Sequence, residues 1–225
     1  MVLALGVVLV AGVAVGGYLL WNRQQDSELC RAIQAGRDAL LREPFEGGRS
    51  HVVLAVGDSY TQAASIGGPA QAWPARLAEV ADATVTVDGM SSTGYTTAGF
   101  CPGDPFTYAE RLAERDVAEG TTVVLQGSVN DGLSGEPDDV EARADAALEE
   151  VEGAGRVVVV GPPTIPALDA AALGTIDRGL AAAAEAHDAV YLSLLDEAIP
   201  ISADDVHPTA EGQERIARLV AGALG

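Results

Sequence analysis

Three side chains that together can cleave an acyl bond occur in the order serine, aspartate, histidine along the 225-residue chain. Ser59 directly follows an apolar run in the stretch VVLAVGDSY, so its hydroxyl is expected at the end of a buried strand. His207 is the candidate base, and Asp204 lies three residues before it, close enough to hold one imidazole nitrogen from the same loop. Acyl transfer by serine requires a nucleophile, a base and a group that orients the base. The three residues therefore predict a catalytic triad, whereas a simple helix cap at Ser59 is the alternative.

Acyl transfer also requires hydrogen-bond donors for the oxyanion. The backbone N–H of Ser59 is expected near a helix start, where amide donors are free. Gly89 leaves its N–H unshielded by a side chain, and Asn130 offers a side-chain amide. These residues predict an oxyanion hole made of Ser59, Gly89 and Asn130, although Asn130 and Asp131 alone are also typical of a turn.

The elements that must position these residues alternate between strands and helices. Five short, continuous, β-branched runs predict strands at 52–56, 84–87, 122–126, 157–161 and 190–194. Such runs are typical of parallel strands that are buried on both faces. Helical stretches are predicted at about 71–81, 107–118, 137–151, 169–187 and 208–223. The alternation predicts an α/β fold, a three-layer α/β/α sandwich around a five-stranded parallel sheet with right-handed crossovers.

The candidate residues fall at one edge of that sheet. Ser59 follows the first strand, Gly89 the second and Asn130 the third, and the loop with Asp204 and His207 follows the fifth. Ligands of open α/β sheets bind beyond the carboxyl ends of the strands. We therefore expect these five residues to converge although the chain separates them.

Four sequence blocks carry a resemblance to a known family. They are GDSY with Ser59, VDGMSSTG with Gly89, GSVND with Asn130, and DDVHP with Asp204 and His207. In this order, and each after a strand, they resemble the blocks of the SGNH or GDSL-type serine hydrolases. The resemblance spans residues 57–208 and implies a flavodoxin-like five-stranded sheet, an ester-cleaving serine, and the triad and oxyanion hole named above.

Two positions depart from the family pattern. Ser128 stands where the family usually has glycine, and it either crowds the loop before Asn130 or adds a hydrogen bond there. Asp88 stands before Gly89 where asparagine is common, which puts the anchoring of that loop in question.

The composition restricts the classes of partner. The formal net charge is −20 and the chain contains no lysine. Such a surface repels phosphate backbones and anionic headgroups, so nucleic-acid binding and docking on lipid through a basic patch are disfavoured. No CxxC or histidine-rich spacing indicates a metal site, and no cofactor is expected. Small-molecule or polysaccharide acyl esters are the expected substrates, and the sequence does not set the oligomeric state.

The N-terminal residues 2–21 are uncharged and long enough to span a bilayer. The sequence predicts a transmembrane anchor or signal segment at 1–25, a helical stalk at 26–49 and a hydrolase domain at 50–225. An uncleaved anchor is favoured over a signal peptide because a basic n-region is missing. The domain is expected outside the cytoplasm, membrane-anchored or secreted, although Arg23 and Arg31 favour the opposite orientation by the positive-inside rule.

Two cysteines, Cys30 and Cys101, form an even pair. In an exported domain such a pair suggests one disulfide, here between the segment after the anchor and a loop of the domain. Two unrelated thiols are the alternative.

The residues and the resemblance together predict a serine esterase that hydrolyses short-chain or carbohydrate-linked acyl esters through an acyl-enzyme. A lipase or a thioesterase would use the same residues. A module on this fold that binds a flavin or a phosphate is an alternative from another class, which the few aromatic residues and the net charge of −20 disfavour. A non-catalytic family member that binds glycans is a third alternative, which the intact Ser59, Asp204 and His207 disfavour.

Overall fold

The computed structural model describes residues 27–63, 66–101 and 106–225. The predicted anchor at 1–25 lies outside the described residues. Within the described ranges, no helix is both long enough and apolar enough to cross a membrane. The anchor and its cleavage stay predictions.

A mixed sheet of six strands forms the centre of the fold. The strands are β1 (Phe45–Glu46), β2 (His51–Gly57), β3 (Ala83–Gly89), β4 (Thr122–Gln126), β5 (Arg156–Pro163) and β6 (Val190–Leu194). They lie side by side in the order β1-β3-β2-β4-β5-β6. β1 is antiparallel to β3, and every other neighbouring pair is parallel.

The predicted count of five strands was wrong, because the sheet has the extra edge strand β1. A two-residue strand shows neither an apolar run nor a period, so the sequence carries no signal for it. The five predicted runs correspond to β2 to β6. Without β1 their order is the flavodoxin-like one. In this order β3 is added on one side of β2, and the later strands β4 to β6 are added on the other side.

Helices flank the sheet. They are α1 (27–42), α2 (Ser59–Gln62), α3 (Trp73–Val80), α4 (Tyr108–Ala113), α5 (Asn130–Leu133), α6 (Val140–Glu149), α7 (Ala170–Ala186) and α8 (Ala210–Ala223). The observed α4 is shorter than the predicted stretch at 107–118, and the one-turn helix α5 was not predicted. The one-turn helix α2 supplies the helix start that was expected near Ser59.

Both faces of the sheet are buried. Val53 and Ala55 of β2 pack in a cluster with residues of α3 and α8. Leu54 and Val56 of the same strand pack in a second cluster with residues of α4, α6 and α7. Because successive side chains of a strand point to opposite faces, this alternation confirms the expected layers of helices on both sides of the sheet.

The predicted helical stalk at 26–49 contains the helix α1, but this helix is not a separate stalk. Leu40 of α1 is buried in the core, and β1 pairs with the edge of the sheet. A disulfide joins Cys30 of α1 to Cys101 in the loop after β3. The part of the predicted 26–49 segment that the structure describes is therefore packed on the domain.

Three strand ends that carry candidate residues are level with one another. Gly57 of β2 lies opposite Gly89 of β3 on one side and opposite Gln126 of β4 on the other. Parallel register therefore brings the segments after β2, β3 and β4 to the same edge of the sheet.

Candidate active site

A chain of two hydrogen bonds joins serine, histidine and aspartate at this edge. The Nε2 of His207 lies 3.0 Å from the Oγ of Ser59, and the Nδ1 of His207 lies 2.8 Å from the Oδ2 of Asp204. The side chain of His207 is about a quarter exposed, whereas Ser59 is buried. The structure thus brings together the three residues that the sequence singled out as a triad.

The loop that carries the histidine is fixed by its own aspartate. The second carboxylate oxygen of Asp204 accepts hydrogen bonds from the backbone N–H of His207 at 2.9 Å, the hydroxyl of Ser202 at 2.7 Å and the backbone N–H of Val206 at 3.0 Å. Desolvation acts to raise the pKa of Asp204, but these donors outweigh it and hold the pKa well below its ordinary value. The aspartate therefore stays ionised beside the imidazole. The hydroxyl of Tyr60, next to Ser59, donates to the carbonyl of Val206 and ties this loop to α2.

Ser59 begins the one-turn helix α2 directly after β2. Asp58 caps this helix, since its Oδ1 accepts a hydrogen bond from the N–H of Tyr60 at 2.8 Å. Asp58 is fully buried, and burial raises its pKa to about 6. The aspartate of the GDS motif thus holds the turn, whereas the two ring nitrogens of His207 contact Asp204 and Ser59.

Gly89 is the point at which β3 touches α2. A Cβ at this position would lie 2.6 Å from the backbone nitrogen of Gln62 and 2.8 Å from the carbonyl carbon of Thr61. Contacts this short are not available to a side chain, so only glycine lets the end of β3 approach the helix that Ser59 begins.

Asn130 begins α5 on the far side of Ser59's strand. Its Nδ2 donates to the carbonyl oxygen of Thr93 at 3.0 Å. An amide NH₂ carries two donors, so this bond orients the group while committing one N–H. Asn130 and the segment after β3 are thereby linked.

A comparison of sequences decides the family. The profile of the GDSL-like lipase/acylhydrolase family matches residues 55–215 of this chain. The chain belongs to that family. The resemblance read from the four blocks is confirmed, and the protein is a serine hydrolase that acts on ester bonds.

Several solved structures share the fold of this hydrolase. Est24, a carbohydrate acetylesterase from Sinorhizobium meliloti, is 18% identical with a TM-score of 0.60, over 78% of this chain and 98% of that chain. The M. smegmatis aryl esterase is 20% identical with a TM-score of 0.60 and the same coverage of both chains. A carbohydrate esterase family 2 enzyme from Corynascus thermopiles (Myceliophthora fergusii) is 16% identical with a TM-score of 0.62, over 79% of this chain and 66% of that chain. No curated protein sequence matches the chain.

The serine that replaces the family's glycine adds hydrogen bonds to the hydrolase. The hydroxyl of Ser128 donates to the carbonyl of Thr93 at 3.0 Å and accepts from the N–H of Asn130 at 2.9 Å. Ser128 is fully buried. Of the two outcomes considered for this position, the structure shows added bonding next to Asn130.

Asp88, the second departure, is held by three arginines. Its carboxylate contacts Arg37 at 2.5 Å, Arg111 at 2.9 Å and Arg115 at 2.8 Å. Desolvation acts to raise the pKa of this buried carboxyl, but Arg111 and the other two guanidinium groups outweigh it and hold the pKa far below the ordinary value. The loop before Gly89 is therefore anchored by ion pairs.

Sequence reasoning missed several residues that shape this edge. Asp131 accepts hydrogen bonds from the backbone N–H groups of Tyr95, Thr96 and Thr97 and so orders the loop after β3. Its place beside Asn130 was the available signal. The sequence carried no signal for the roles of Arg37 and Arg111, because arginines on amphipathic helices are usually solvated.

Proposed function

We propose that the protein hydrolyses short-chain or carbohydrate-linked acyl esters with Ser59 as nucleophile, His207 as general base and Asp204 as the orienting carboxylate. The single observation that carries this proposal is the 3.0 Å separation of the His207 Nε2 from the Ser59 Oγ. That distance is within the reach that proton transfer needs.

The first half of the reaction forms an acyl-enzyme. The Oγ of Ser59 attacks the ester carbonyl carbon as the Nε2 of His207 takes the hydroxyl proton. The tetrahedral intermediate then collapses, the bond to the leaving alcohol oxygen breaks, and the imidazolium gives its proton to that oxygen. Asp204 stays ionised and stabilises the imidazolium through Nδ1, which matches its lowered pKa.

The second half releases the acid. His207 takes a proton from a water that attacks the acyl carbonyl, and the Ser59 oxygen leaves and recovers the proton. In both halves we assign the oxyanion to the backbone N–H groups of Ser59 and Gly89 and to the amide of Asn130. The close contact of Gly89 with α2 and the oriented Asn130 amide support that assignment.

The position of one apolar groove supports a small acyl group. An apolar groove of about 340 Å³ lies between α1 and the segment after α2, lined among others by Leu29, Ile33 and Leu40. Neither Ser59 nor His207 lines it. The site edge itself is polar, and two of the structural neighbours are described as a carbohydrate acetylesterase and an aryl esterase. A lipase or thioesterase would need the groove to continue to Ser59.

We also propose that the domain functions outside the cytoplasm, anchored by the apolar segment at 2–21 or released by its cleavage. The Cys30–Cys101 disulfide supports an oxidising compartment. Fractionation of cells followed by surface proteolysis tests this location. Protection of the domain in intact spheroplasts would contradict it.

The test of the proposed function is the hydrolysis of p-nitrophenyl acetate by Ser59→Ala. We expect the rate with this variant to equal the rate of uncatalysed hydrolysis in buffer. Ser50→Ala is the matched control, because Ser50 is exposed just before β2, at its opposite end, and should keep parental turnover. A series of p-nitrophenyl esters from acetate to decanoate, beside acetylated sugars, separates the esterase from the lipase alternative. Parental turnover by Ser59→Ala would refute the proposal.

A further inference from the structure

One buried arginine contacts the ends of both strands that lead into the site. Arg111 of α4 has no exposed surface. Its Nη2 donates to the carbonyl of Gly57 at 3.1 Å, and its Nη1 donates to the carbonyl of Asp88 at 2.8 Å. Gly57 precedes the turn to Ser59, and Asp88 is bonded directly to Gly89. The planar guanidinium therefore bridges the two strand ends that lead to Ser59 and Gly89, whose backbone N–H groups are assigned as oxyanion donors.

The same guanidinium reaches the third donor through one intermediate residue. The Nη2 of Arg111 also lies 3.3 Å from the hydroxyl oxygen of Thr93. The carbonyl of Thr93 accepts from the Nδ2 of Asn130 and from the hydroxyl of Ser128. Arg111 is thus bonded directly to the two strand ends that lead to Ser59 and Gly89, and it is connected to Asn130 through Thr93.

The position of Arg111 is fixed by charge and by packing. Its Nη1 lies 2.9 Å from the Oδ1 of Asp88, which supplies the counter-charge that a buried cation needs. The guanidinium carbon lies 4.9 Å from the ring centroid of Tyr108, whose hydroxyl donates to the carbonyl of Gln126 at the end of β4. The ends of β2, β3 and β4 therefore share one rigid support.

We propose that Arg111 is a positioning residue that sets the mutual geometry of the three oxyanion donors, with Asp88 as its fixed counter-ion. This inference rests on the proposed function. Arg111 touches no reacting atom, and its effect is to hold donors at the spacing that the oxyanion requires. Removing Arg111 should reduce the stabilisation of the tetrahedral intermediate more than it reduces the affinity for the substrate.

Arg115 offers a matched control. It pairs with the same carboxylate, its Nε lying 2.8 Å from the Oδ2 of Asp88, but it bonds no strand-end carbonyl. Arg115→Met therefore removes one positive charge from the same ion cluster and leaves the bonds from Arg111 to the carbonyls of Gly57 and Asp88 in place. Arg111→Met removes those two bonds together with the charge. Arg111→Lys keeps the charge, but a single ammonium cannot span both carbonyls. The lysine variant carries the test if Arg111→Met does not fold.

The readouts are kcat and KM for p-nitrophenyl acetate, the inhibition constant of phenylboronic acid, and the thermal midpoint. Phenylboronic acid is the probe of the oxyanion hole because it forms a tetrahedral adduct with a nucleophilic serine. We expect the Arg111 variants to lose about 10²-fold in kcat, the scale of a small misplacement of catalytic groups, with KM almost unchanged. Inhibition by phenylboronic acid should weaken in parallel, and Arg115→Met should keep kcat and inhibition close to the parent.

Two results would overturn the inference. One is a folded Arg111→Lys with parental kcat and parental phenylboronic acid inhibition. The other is an Arg115→Met that loses as much kcat as Arg111→Lys, which would assign the effect to the Asp88 ion cluster as a whole and not to the bonds from Arg111 to the two strand-end carbonyls. Failure of the proposed function is distinguishable, because in that case Ser59→Ala itself keeps its turnover. An inactive Ser59→Ala beside a parental Arg111→Lys refutes only the positioning role.

Discussion

The Oδ2 of Asp204 and the Nδ1 of His207 lie 2.8 Å apart within one short loop. The partner hydroxyl of Ser59 comes from a residue 148 positions away, at the other end of the domain's sequence. The base and its orienting group are therefore assembled locally, and only the contact between His207 and Ser59 depends on the whole fold. Single substitutions can therefore test the local pair of Asp204 and His207 separately from the long-range contact with Ser59.

Asp204→Asn should lower kcat for p-nitrophenyl acetate by about 10²-fold to 10⁴-fold, because the imidazole loses the carboxylate that selects its tautomer and stabilises its charged form. The lower part of that range is expected, since the Asp204 side chain is 46% exposed and water can partly replace it. Asp205→Asn is the control, with the same charge change in the same loop. Equal kcat values for Asp204→Asn and the parent would contradict the assigned role.

Asn130→Ala should lower kcat by about 10²-fold to 10³-fold and leave KM nearly unchanged, since it removes a donor that acts on the transition state. Steady-state kinetics with p-nitrophenyl acetate measures both constants. Leu133→Ala, on the exposed side of the same one-turn helix, controls for damage to α5. A rise in KM at constant kcat would instead show that Asn130 serves in substrate binding.

Asp58 should make the stability of the protein depend on pH. Burial raises its folded-state pKa from 3.8 to about 6, so between these values the folded chain holds a proton that the unfolded chain releases. The free energy of unfolding therefore falls as the pH rises through this window, by about 3 kcal/mol for this group. Asp58→Asn keeps an acceptor for the Tyr60 N–H and cannot ionise.

Urea unfolding at pH 4, 5, 6 and 7 measures this effect. The free energy of unfolding of Asp58→Asn, relative to the parent, should increase by about 2 kcal/mol from pH 4 to pH 7. Asp116→Asn, at an exposed carboxylate, controls for the loss of one negative charge. If the difference in free energy of unfolding between Asp58→Asn and the parent is the same at every pH, then Asp58 has the same pKa in the folded and the unfolded chain.

The disulfide should stabilise the docking of α1. Cys30 and Cys101 are 71 positions apart, and closing a loop of that length in the unfolded chain is worth about 4 kcal/mol in the chain-entropy account. Replacing both cysteines by serine should lower the free energy of unfolding by about that amount in urea titrations. A reductant should destabilise the parent and leave the double variant unchanged. Insensitivity of the parent to the reductant would contradict the prediction.

The strands and the edge of the sheet that carries the site were accessible from the sequence. Continuous β-branched runs such as VVLAV and VVVV have few options other than a strand buried on both faces, so β2 and β5 were placed within a few residues of their observed bounds. Polar blocks after those strands then converge because parallel strands end at a common edge. Ser59 and His207 meet for that reason.

Other parts of the site depend on tertiary contacts that no local pattern encodes. Arg37 and Arg111 lie on helices whose patterns are typical of solvated arginines, yet both are buried because Asp88 lies between them. The strand β1 and the helix α2 are too short to show a period. The docking of α1 follows from its contacts with the loop after β3, and the sequence alone suggested a stalk.

The central claim is that Ser59 is the nucleophile activated by His207, and active-site labelling tests it most directly. The protein is treated with a fluorophosphonate, digested, and the modified residue is identified by peptide mass spectrometry. We predict a single adduct at Ser59, formed far more slowly in His207→Ala. An adduct on another serine, or labelling of Ser59 at the parental rate in His207→Ala, would contradict the account.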